Sequence, residues 1–265
     1  MDESFTSLVF FTVLSQTAAG GLLFRELSVM RGGFEFISDR FRKRSLLIIT
    51  LLLILALAIA FFHLGYPVNA LNALNNIGKS WLSREILSLS LLIAALLIYL
   101  IIIFINKSER AAKALSLVTM ILSISFIFSM IKLYLIPSVT SWYHPFTPVS
   151  FIITILLCGN LLLSVIIGKN IERFNSIAAP LNVILIISSL ANSILFPGTF
   201  SEQRLYLFII RTALSIISLF IIVVAYFRTP SNKTCIRWVI LFLLVLSSEI
   251  INRYIFFLSF EKTGL

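Results

Sequence analysis

Long apolar segments alternate with short polar segments along the whole chain. A helix needs about 20 apolar residues to cross the hydrocarbon core of a bilayer, and each apolar segment is close to that length. The segments cover approximately residues 5–29, 45–64, 84–105, 113–136, 148–168, 177–196, 203–227 and 236–259. This pattern predicts an all-α fold, a polytopic membrane bundle of about eight transmembrane helices in which residues 1–265 form a single integral-membrane domain.

The basic residues predict how these helices are oriented in the membrane. Arginine and lysine concentrate in alternate loops, beginning with Arg40, Arg42, Lys43 and Arg44 between the first two spans. Loops rich in basic residues face the cytoplasm, so both the N-terminus and the C-terminus are expected to be periplasmic. The same loops account for the net charge of +10, and no nucleic-acid partner is expected.

The composition excludes a soluble protein and offers little that could hold a cofactor. Charged residues make up 12% of the chain, against roughly 25% in soluble domains. The two cysteines, Cys158 and Cys235, lie in different environments, and the two histidines, His63 and His144, both lie towards the outer face. We therefore expect no metal and no haem in this chain. Electrons from any redox reaction must then leave through a partner protein.

Ionisable side chains at membrane depth are the main candidates for function, because each costs on the order of 2.5–3.5 kcal/mol to insert. Most of them fall in the predicted outer half of the bundle, namely His63, Glu85, Lys132, Arg211, Glu249 and Arg253. The inner half offers Asn160 and Asn182, with Arg25 and Glu26 at its border. Any polar cavity is therefore expected to open outward.

Several of these groups also have a purely structural explanation. His63 at the end of the second span and Glu85 in the first turn of the third would complement the helix dipole. Lys132 would extend its ammonium group to the outer lipid headgroups, and Arg211 would do likewise. The outer aromatic residues are typical of an interfacial belt rather than a ligand site, and they are Trp81, Tyr134, Trp142 and Tyr143.

Two spacing patterns favour contacts within the bundle. Glu249 and Arg253 have the i,i+4 spacing of an ion pair within one helix, with the acid in the favourable N-terminal position. Thr12, Gln16 and Gly20 share one face of the first span, which indicates close helix packing held by an amide hydrogen bond. A role for Gln16 as a ligand contact is the alternative.

The segment from His63 to Glu85 brings the candidates for proton transfer together. Asparagines alternate with leucines in this segment, which predicts a short amphipathic piece at the membrane interface. Such a lid would bring the imidazole and the carboxylate near one outer site, where both groups can exchange protons. A lipid-soluble quinol suits such a site, because its oxidation releases protons together with electrons.

Four motifs resemble one family, the membrane anchor subunit of bacterial dimethyl sulfoxide reductases. The most specific is HLGYPVNALNALNNIGKSWLSREI, from His63 to Ile86. FTVLSQTAAGG from Phe11 to Gly21 and SWYHPFTP from Ser141 to Pro148 agree with it. EIINR, from Glu249 to Arg253, is the fourth.

The resemblance implies an anchor that holds an iron–sulfur electron-transfer subunit and a molybdopterin catalytic subunit at the bacterial inner membrane. It implies that menaquinol is bound and oxidised near the periplasmic side, with His63 and Glu85 as the catalytic pair. We expect the quinol-binding residues to be His63, Glu85, Lys132, Gln16, Tyr134, Glu249 and Arg253. Lys132 stands where the resemblance leads us to expect an arginine, which leaves the quinol preference and the terminal S- or N-oxide open.

Two alternatives from other classes remain. A secondary transporter would place a polar residue such as Glu249 at mid-membrane depth, but it would also need broken helices and an internal repeat. No such repeat is visible, and all seven prolines fall in loops or in the first turns of the predicted spans. The second alternative is a purely structural anchor, with quinol chemistry in another protein.

Overall fold

The computed structural model describes residues 3–36, 38–61, 72, 74–105, 108–167, 172–195, 202–227 and 234–260. Within these ranges the chain forms eight α-helices and no strand, which confirms the predicted all-α fold. The helices are α1 (Glu3–Phe36), α2 (Asp39–Phe61), α3 (Trp81–Ile105), α4 (Glu109–Tyr134), α5 (Phe146–Ile167), α6 (Glu172–Leu195), α7 (Glu202–Phe227) and α8 (Thr234–Leu258). All eight contain an apolar stretch long enough to cross a membrane.

Two helices extend beyond their apolar segments. α1 has 34 residues and continues past the predicted end at residue 29 to Phe36. α6 begins at Glu172, so Pro180 lies inside the helix, and the expectation that every proline falls in a loop or a first turn is wrong. Hydropathy marks the part of a helix that lies in lipid, whereas polar residues can continue the same helix outside it.

α1 lies at the centre of the bundle, in contact with α2, α4, α5 and α8. Its closest approach is to α5, where a Cβ atom added to Gly20 would overlap the carbonyl oxygen of Ile155. A Cβ atom on Gly159 of α5 would lie 2.6 Å from Cα of Gly20. Small residues therefore let the two backbones touch, as the shared face of Thr12, Gln16 and Gly20 predicts.

The start of α1, the α4–α5 loop and the end of α8 meet at one end of the bundle, which we call the terminal face. The rings of Phe5 and Phe257 are 6.0 Å apart, and Trp142 Nε1 in the loop donates a hydrogen bond to the carbonyl oxygen of Phe256 at 3.0 Å. Ser141 donates to the carbonyl oxygen of Ser259 at 2.6 Å. The first and last helices therefore begin and end on the same side, as an even number of crossings requires.

A buried ion pair joins four helices towards the opposite face. Arg25 and Glu26 of α1 are paired and fully buried. Arg25 Nε also donates to Ser45 of α2 at 3.0 Å, and the Glu26 carboxylate accepts hydrogen bonds from Tyr99 of α3 and Ser116 of α4. These polar contacts hold the four helices α1, α2, α3 and α4 in place relative to one another. They matter because apolar helix surfaces in lipid have no hydrophobic driving force to associate.

Candidate functional site

The half of the bundle next to the terminal face contains a network of buried polar side chains, which we call the central network. It connects α1, α5, α6, α7 and α8 through hydrogen bonds, and its members are Gln16, Thr154, Ser189, Arg211, Glu249 and Arg253. Every member is less than 5% exposed. Since burial shields these polar groups from bulk water, their mutual contacts decide which of them remain available to a ligand.

Glu249 is the most fully bonded member of the central network. Its carboxylate accepts hydrogen bonds from the hydroxyl groups of Thr154 at 2.7 Å and Ser189 at 2.6 Å. Arg211 Nη2 lies 3.8 Å from Oε1 of Glu249 and forms an ion pair with it. The expected ion pair between Glu249 and Arg253 within α8 is therefore wrong, because the Thr154 hydroxyl lies between those two side chains.

Arg211 belongs to this network and was not among the predicted site residues. Its side chain turns into the bundle and is fully buried, so the structural explanation by headgroup contact does not apply to it. Nη2 donates to both the carbonyl and the hydroxyl oxygen of Ser189, at 3.0 and 2.7 Å, and Nη1 donates to Ser193. The signal in the sequence is the i,i+4 pair of serines on α6, which offers acceptors for a guanidinium group on a neighbouring helix.

Arg253 is held through one nitrogen of its guanidinium group, and the other two nitrogens are unused within the described part of the chain. Its Nη2 donates to Gln16 Oε1 at 3.0 Å and to the Thr154 hydroxyl at 3.4 Å. The guanidinium carbon lies 3.6 Å from the centroid of the Phe151 ring, an arrangement that favours a cation. Nε and Nη1 are buried and have no hydrogen-bond partner among the described residues.

Gln16 connects this arginine to α4. Its side-chain oxygen accepts from Arg253, and its Nε2 donates to Met130 Sδ at 3.2 Å. The predicted amide hydrogen bond on this face of α1 is therefore present, and it joins α1 to both α4 and α8. Gln16 orients the guanidinium group of Arg253 within the bundle.

Tyr134, at the end of α4, lies in a cluster of aromatic rings together with Trp142, Phe151, Phe256 and Phe257. Tyr134 and Trp142 are buried, so their assignment to an interfacial belt is wrong, whereas Tyr143 is 58% exposed. The loop folds back over the end of α4 and carries Trp142 inward, where its ring stacks on Phe256 at 4.9 Å. Tyr134 lies within electrostatic range of both Glu85 and Arg253.

Glu85 is a buried carboxyl group with an unsatisfied oxygen. It is 3% exposed, and its Oε1 has no hydrogen-bond partner in the described part of the chain. α3 begins at Trp81, so Glu85 lies beyond the first turn, and stabilisation by the helix dipole does not explain its burial. A buried carboxyl oxygen without a donor is costly, which makes this position a candidate for contact with a polar ligand.

Two other predicted residues are not part of this arrangement. Lys132 is exposed, and its ammonium nitrogen lies 5.7 Å from the centroid of the Phe128 ring. His63 lies outside the described residues, as do residues 64–71 and 73 of the predicted lid segment. In the described remainder of that segment, Arg84 donates to the carbonyl oxygens of Ile77 and Gly78 at 2.9 and 2.8 Å, which ties the turn to the start of α3.

The residues that the structure describes hold no group of three or more metal-ligating side chains. What they offer instead is one acidic and one basic side chain with unused hydrogen-bonding capacity. The Glu85 carboxyl group has an oxygen that could accept a proton, and Arg253 has nitrogens that could donate hydrogen bonds. Tyr134 interacts electrostatically with each of these groups. A carboxylate can take a proton from a hydroxyl group, and a guanidinium group can stabilise a negative charge.

Comparisons with known proteins identify relatives over much of the chain. A family model described as the DMSO reductase anchor subunit (DmsC) matches residues 2–201. The protein is 31% identical over 195 residues to the anaerobic dimethyl sulfoxide reductase subunit YnfH of Escherichia coli (strain K12), a match that covers 72% of this protein and 67% of that relative. It is 32% identical over 157 residues to the C subunit of the anaerobic dimethyl sulfoxide reductase of the same organism, with coverages of 58% and 55%.

A further relative is the C subunit of the anaerobic dimethyl sulfoxide reductase of Haemophilus influenzae, with 30% identity over 167 residues. That match spans 63% of this protein and 60% of the relative. The family match ends at residue 201, so it includes Gln16, Glu85 and Tyr134 but stops before Arg211 and the residues of α8. With eight membrane-spanning helices, the chain is a multi-pass inner-membrane protein that belongs to the DMSO reductase anchor subunit (DmsC) family.

Proposed function

We propose that this protein binds menaquinol near the periplasmic side of the membrane and oxidises it as the anchor subunit of a molybdoenzyme complex that reduces an S- or N-oxide. The observation that carries the proposal is the buried Oε1 atom of Glu85, which has no hydrogen-bond donor among the described residues although Glu85 lies within electrostatic range of Tyr134. A quinol hydroxyl group supplies such a donor.

The oxidation of a quinol to a quinone releases two protons and two electrons. In the proposed reaction Glu85 accepts one proton, and His63, in the same sequence motif, accepts the other. The electrons pass to an iron–sulfur cluster of a partner subunit and from there to the molybdopterin subunit. The anchor binds the quinol and accepts its protons, and the redox centres belong to its partners.

The ring of the quinol requires an apolar wall beside the polar groups. The aromatic cluster supports this requirement, because Tyr134 contacts Phe151 with a centroid distance of 5.3 Å and Phe151 lies next to Arg253. Gln16 contributes by orienting Arg253 rather than by an unused group of its own. Glu249 acts further away, since its carboxylate is already bonded within the central network.

The proposal also assigns a side of the membrane to the terminal face. The loops at the opposite end of the bundle carry the basic clusters, which favour the cytoplasm, so the terminal face is periplasmic. The iron–sulfur subunit then docks at this face, at a short distance from the quinol. Lys132 is exposed near the same face and would contact the lipid headgroups or the quinol as it enters.

The test replaces the proton acceptor and measures two activities of the purified complex. We expect Glu85→Gln to lower quinol-driven reduction of the terminal oxide by about 100-fold or more, which is the usual contribution of a general base. Reduction driven by a soluble dye that passes electrons directly to the catalytic subunit should be unchanged, because this activity bypasses the anchor. His63→Ala should show the same separation.

The matched control is Glu109→Gln, which removes an exposed carboxylate at the start of α4, at the end of this helix away from Tyr134. We expect it to keep both activities at the wild-type level. Wild-type quinol turnover in both the Glu85 and the His63 variant would refute the proposal. A complex in which no quinone analogue binds stoichiometrically would instead indicate a purely structural anchor.

A further inference from the structure

The three fully buried arginines of the described residues differ in how many of their donors are used. A guanidinium group has five N–H donors and no acceptor. Arg25 uses all three of its nitrogens, which bond to Ser45, Glu26 and the carbonyl oxygen of Arg42. Arg211 leaves Nε without a partner, and Arg253 leaves both Nε and Nη1. Arg253 therefore retains most of its hydrogen-bonding capacity although it is buried.

We propose that Arg253 binds the quinol oxygen as its proton leaves, so that the site recognises the ring in its anionic form. This inference rests on the proposed function and adds the charge state of the bound ligand. Glu85 takes the proton from the O–H group, the electron pair stays on the oxygen, and Nη1 of Arg253 donates a hydrogen bond to that oxygen.

The guanidinium group is already fixed in position before any ligand binds. Phe151 lies under its plane, with 3.6 Å between the guanidinium carbon and the ring centroid. Nη2 is also held in place by the hydrogen bonds that it donates to Gln16 and Thr154. A donor that needs no rearrangement stabilises a developing charge most effectively, and Nη1 of Arg253 has this property.

The charges of the central network also favour an anionic ligand. Arg211 and Arg253 share the single carboxylate of Glu249, and Arg211 is the one that pairs with it directly. The network therefore carries one positive charge in excess, located on Arg253. A neutral ring would leave this charge uncompensated, whereas a ring with a negative oxygen would neutralise it.

The anionic form can be tested with two naphthoquinones of nearly the same shape. 2-Hydroxy-1,4-naphthoquinone is ionised at neutral pH, and its methyl ether, 2-methoxy-1,4-naphthoquinone, is neutral. The affinity of the purified wild-type complex for each compound is measured by competition with a fluorescent quinol analogue. We expect the hydroxy compound to bind at least tenfold more tightly, and equal or reversed affinities would overturn the inference without any variant.

The variants then assign the preference to Arg253. Arg253→Gln should weaken binding of the hydroxy compound by about 10-fold to 100-fold, in line with the loss of a charge-assisted hydrogen bond, and should change binding of the methoxy compound by less than about threefold. Arg253→Lys keeps the positive charge but not the planar fork, so we expect an intermediate loss. Equal weakening of both compounds would show that Arg253 acts through structure alone and would overturn the inference.

Arg237→Gln is the matched control, because Arg237 lies on the same helix, roughly 24 Å away at the opposite face. It should leave both affinities unchanged, and a change equal to that of Arg253→Gln would overturn the assignment.

Failure of this inference is distinguishable from failure of the proposed function. If the wild-type complex prefers the neutral compound but Glu85→Gln still loses quinol turnover, only the inference fails. If neither compound binds to the wild-type complex, both the inference and the proposed function fail.

Discussion

Replacing Glu249 tests whether the central network is held together by charge. The change Glu249→Gln keeps the size of the side chain and leaves one oxygen to accept from Thr154 or Ser189. It removes the carboxylate that faces the buried Arg211 and lies one hydroxyl group away from Arg253. Both guanidinium groups then remain buried without a negative partner among the described members of the network.

The expected loss of stability is worked out by comparing this variant with Arg211→Gln. Removing one partner of a buried ion pair costs about 3–5 kcal/mol, because the other charge is left uncompensated. Arg211→Gln leaves Glu249 and Arg253 on either side of Thr154, so the two remaining charges of the network cancel. Its main loss is three hydrogen bonds to Ser189 and Ser193, at about 0.6 kcal/mol each within a membrane. Glu249→Gln should therefore destabilise the protein more than Arg211→Gln.

The measurement is the apparent free energy of unfolding in an SDS titration of the detergent-solubilised protein, followed by circular dichroism. We expect losses of about 3–5 kcal/mol for Glu249→Gln and about 2 kcal/mol for Arg211→Gln. Glu109→Gln, which removes an exposed carboxylate, should cost less than about 1 kcal/mol. The reasoning is refuted if Glu249→Gln is no less stable than Glu109→Gln, or if Arg211→Gln is the more damaging of the two network variants.

Two further changes test the packing of α1, with the same titration as the measurement. Gly159→Val should lower the free energy of unfolding by about 3 kcal/mol or more, because its Cβ atom would overlap the backbone at Gly20, and Gly78→Ala, which has no atom within 4 Å, is its neutral control. Glu26→Gln should cost about 3–5 kcal/mol because it leaves Arg25 buried without its carboxylate. Adding Arg25→Met to Glu26→Gln should restore part of that loss, and no recovery would contradict the ion-pair explanation.

The features that the sequence predicts correctly are those that depend on neighbouring residues in the chain. Each span is visible because its own residues are apolar, and the face of Thr12, Gln16 and Gly20 follows from helical spacing. The contact of Gly20 with Gly159 adds a partner that spacing alone does not identify. Local pattern therefore predicts the helices and one packing face, and it leaves open which helix packs against that face.

The partners of buried charges depend on contacts between distant parts of the chain. Glu249 has an arginine one helical turn away, yet it pairs with Arg211 of α7, because Arg253 is drawn towards Gln16 of α1 and the ring of Phe151. Tyr134 ends a span and looks interfacial in the sequence, but the α4–α5 loop covers it with Trp142. Both outcomes depend on how helices and loops are placed around these residues, which hydropathy does not encode.

α1 determines the geometry of both ends of the bundle, because it carries polar groups at two depths with a close helix crossing between them. Gln16 contacts Arg253 and Met130 in the half next to the terminal face, and Arg25 contacts Ser45 towards the opposite face, roughly 14 Å further along the helix. Gly20 lies between these two levels and fixes the distance of α1 from α5. Since lipid-facing helices can slide and rotate at little cost, contacts at three levels are what hold the Gln16 side chain in register. The orientation of the Arg253 guanidinium group therefore depends on the absence of a Cβ atom at Gly20, one helical turn from Gln16.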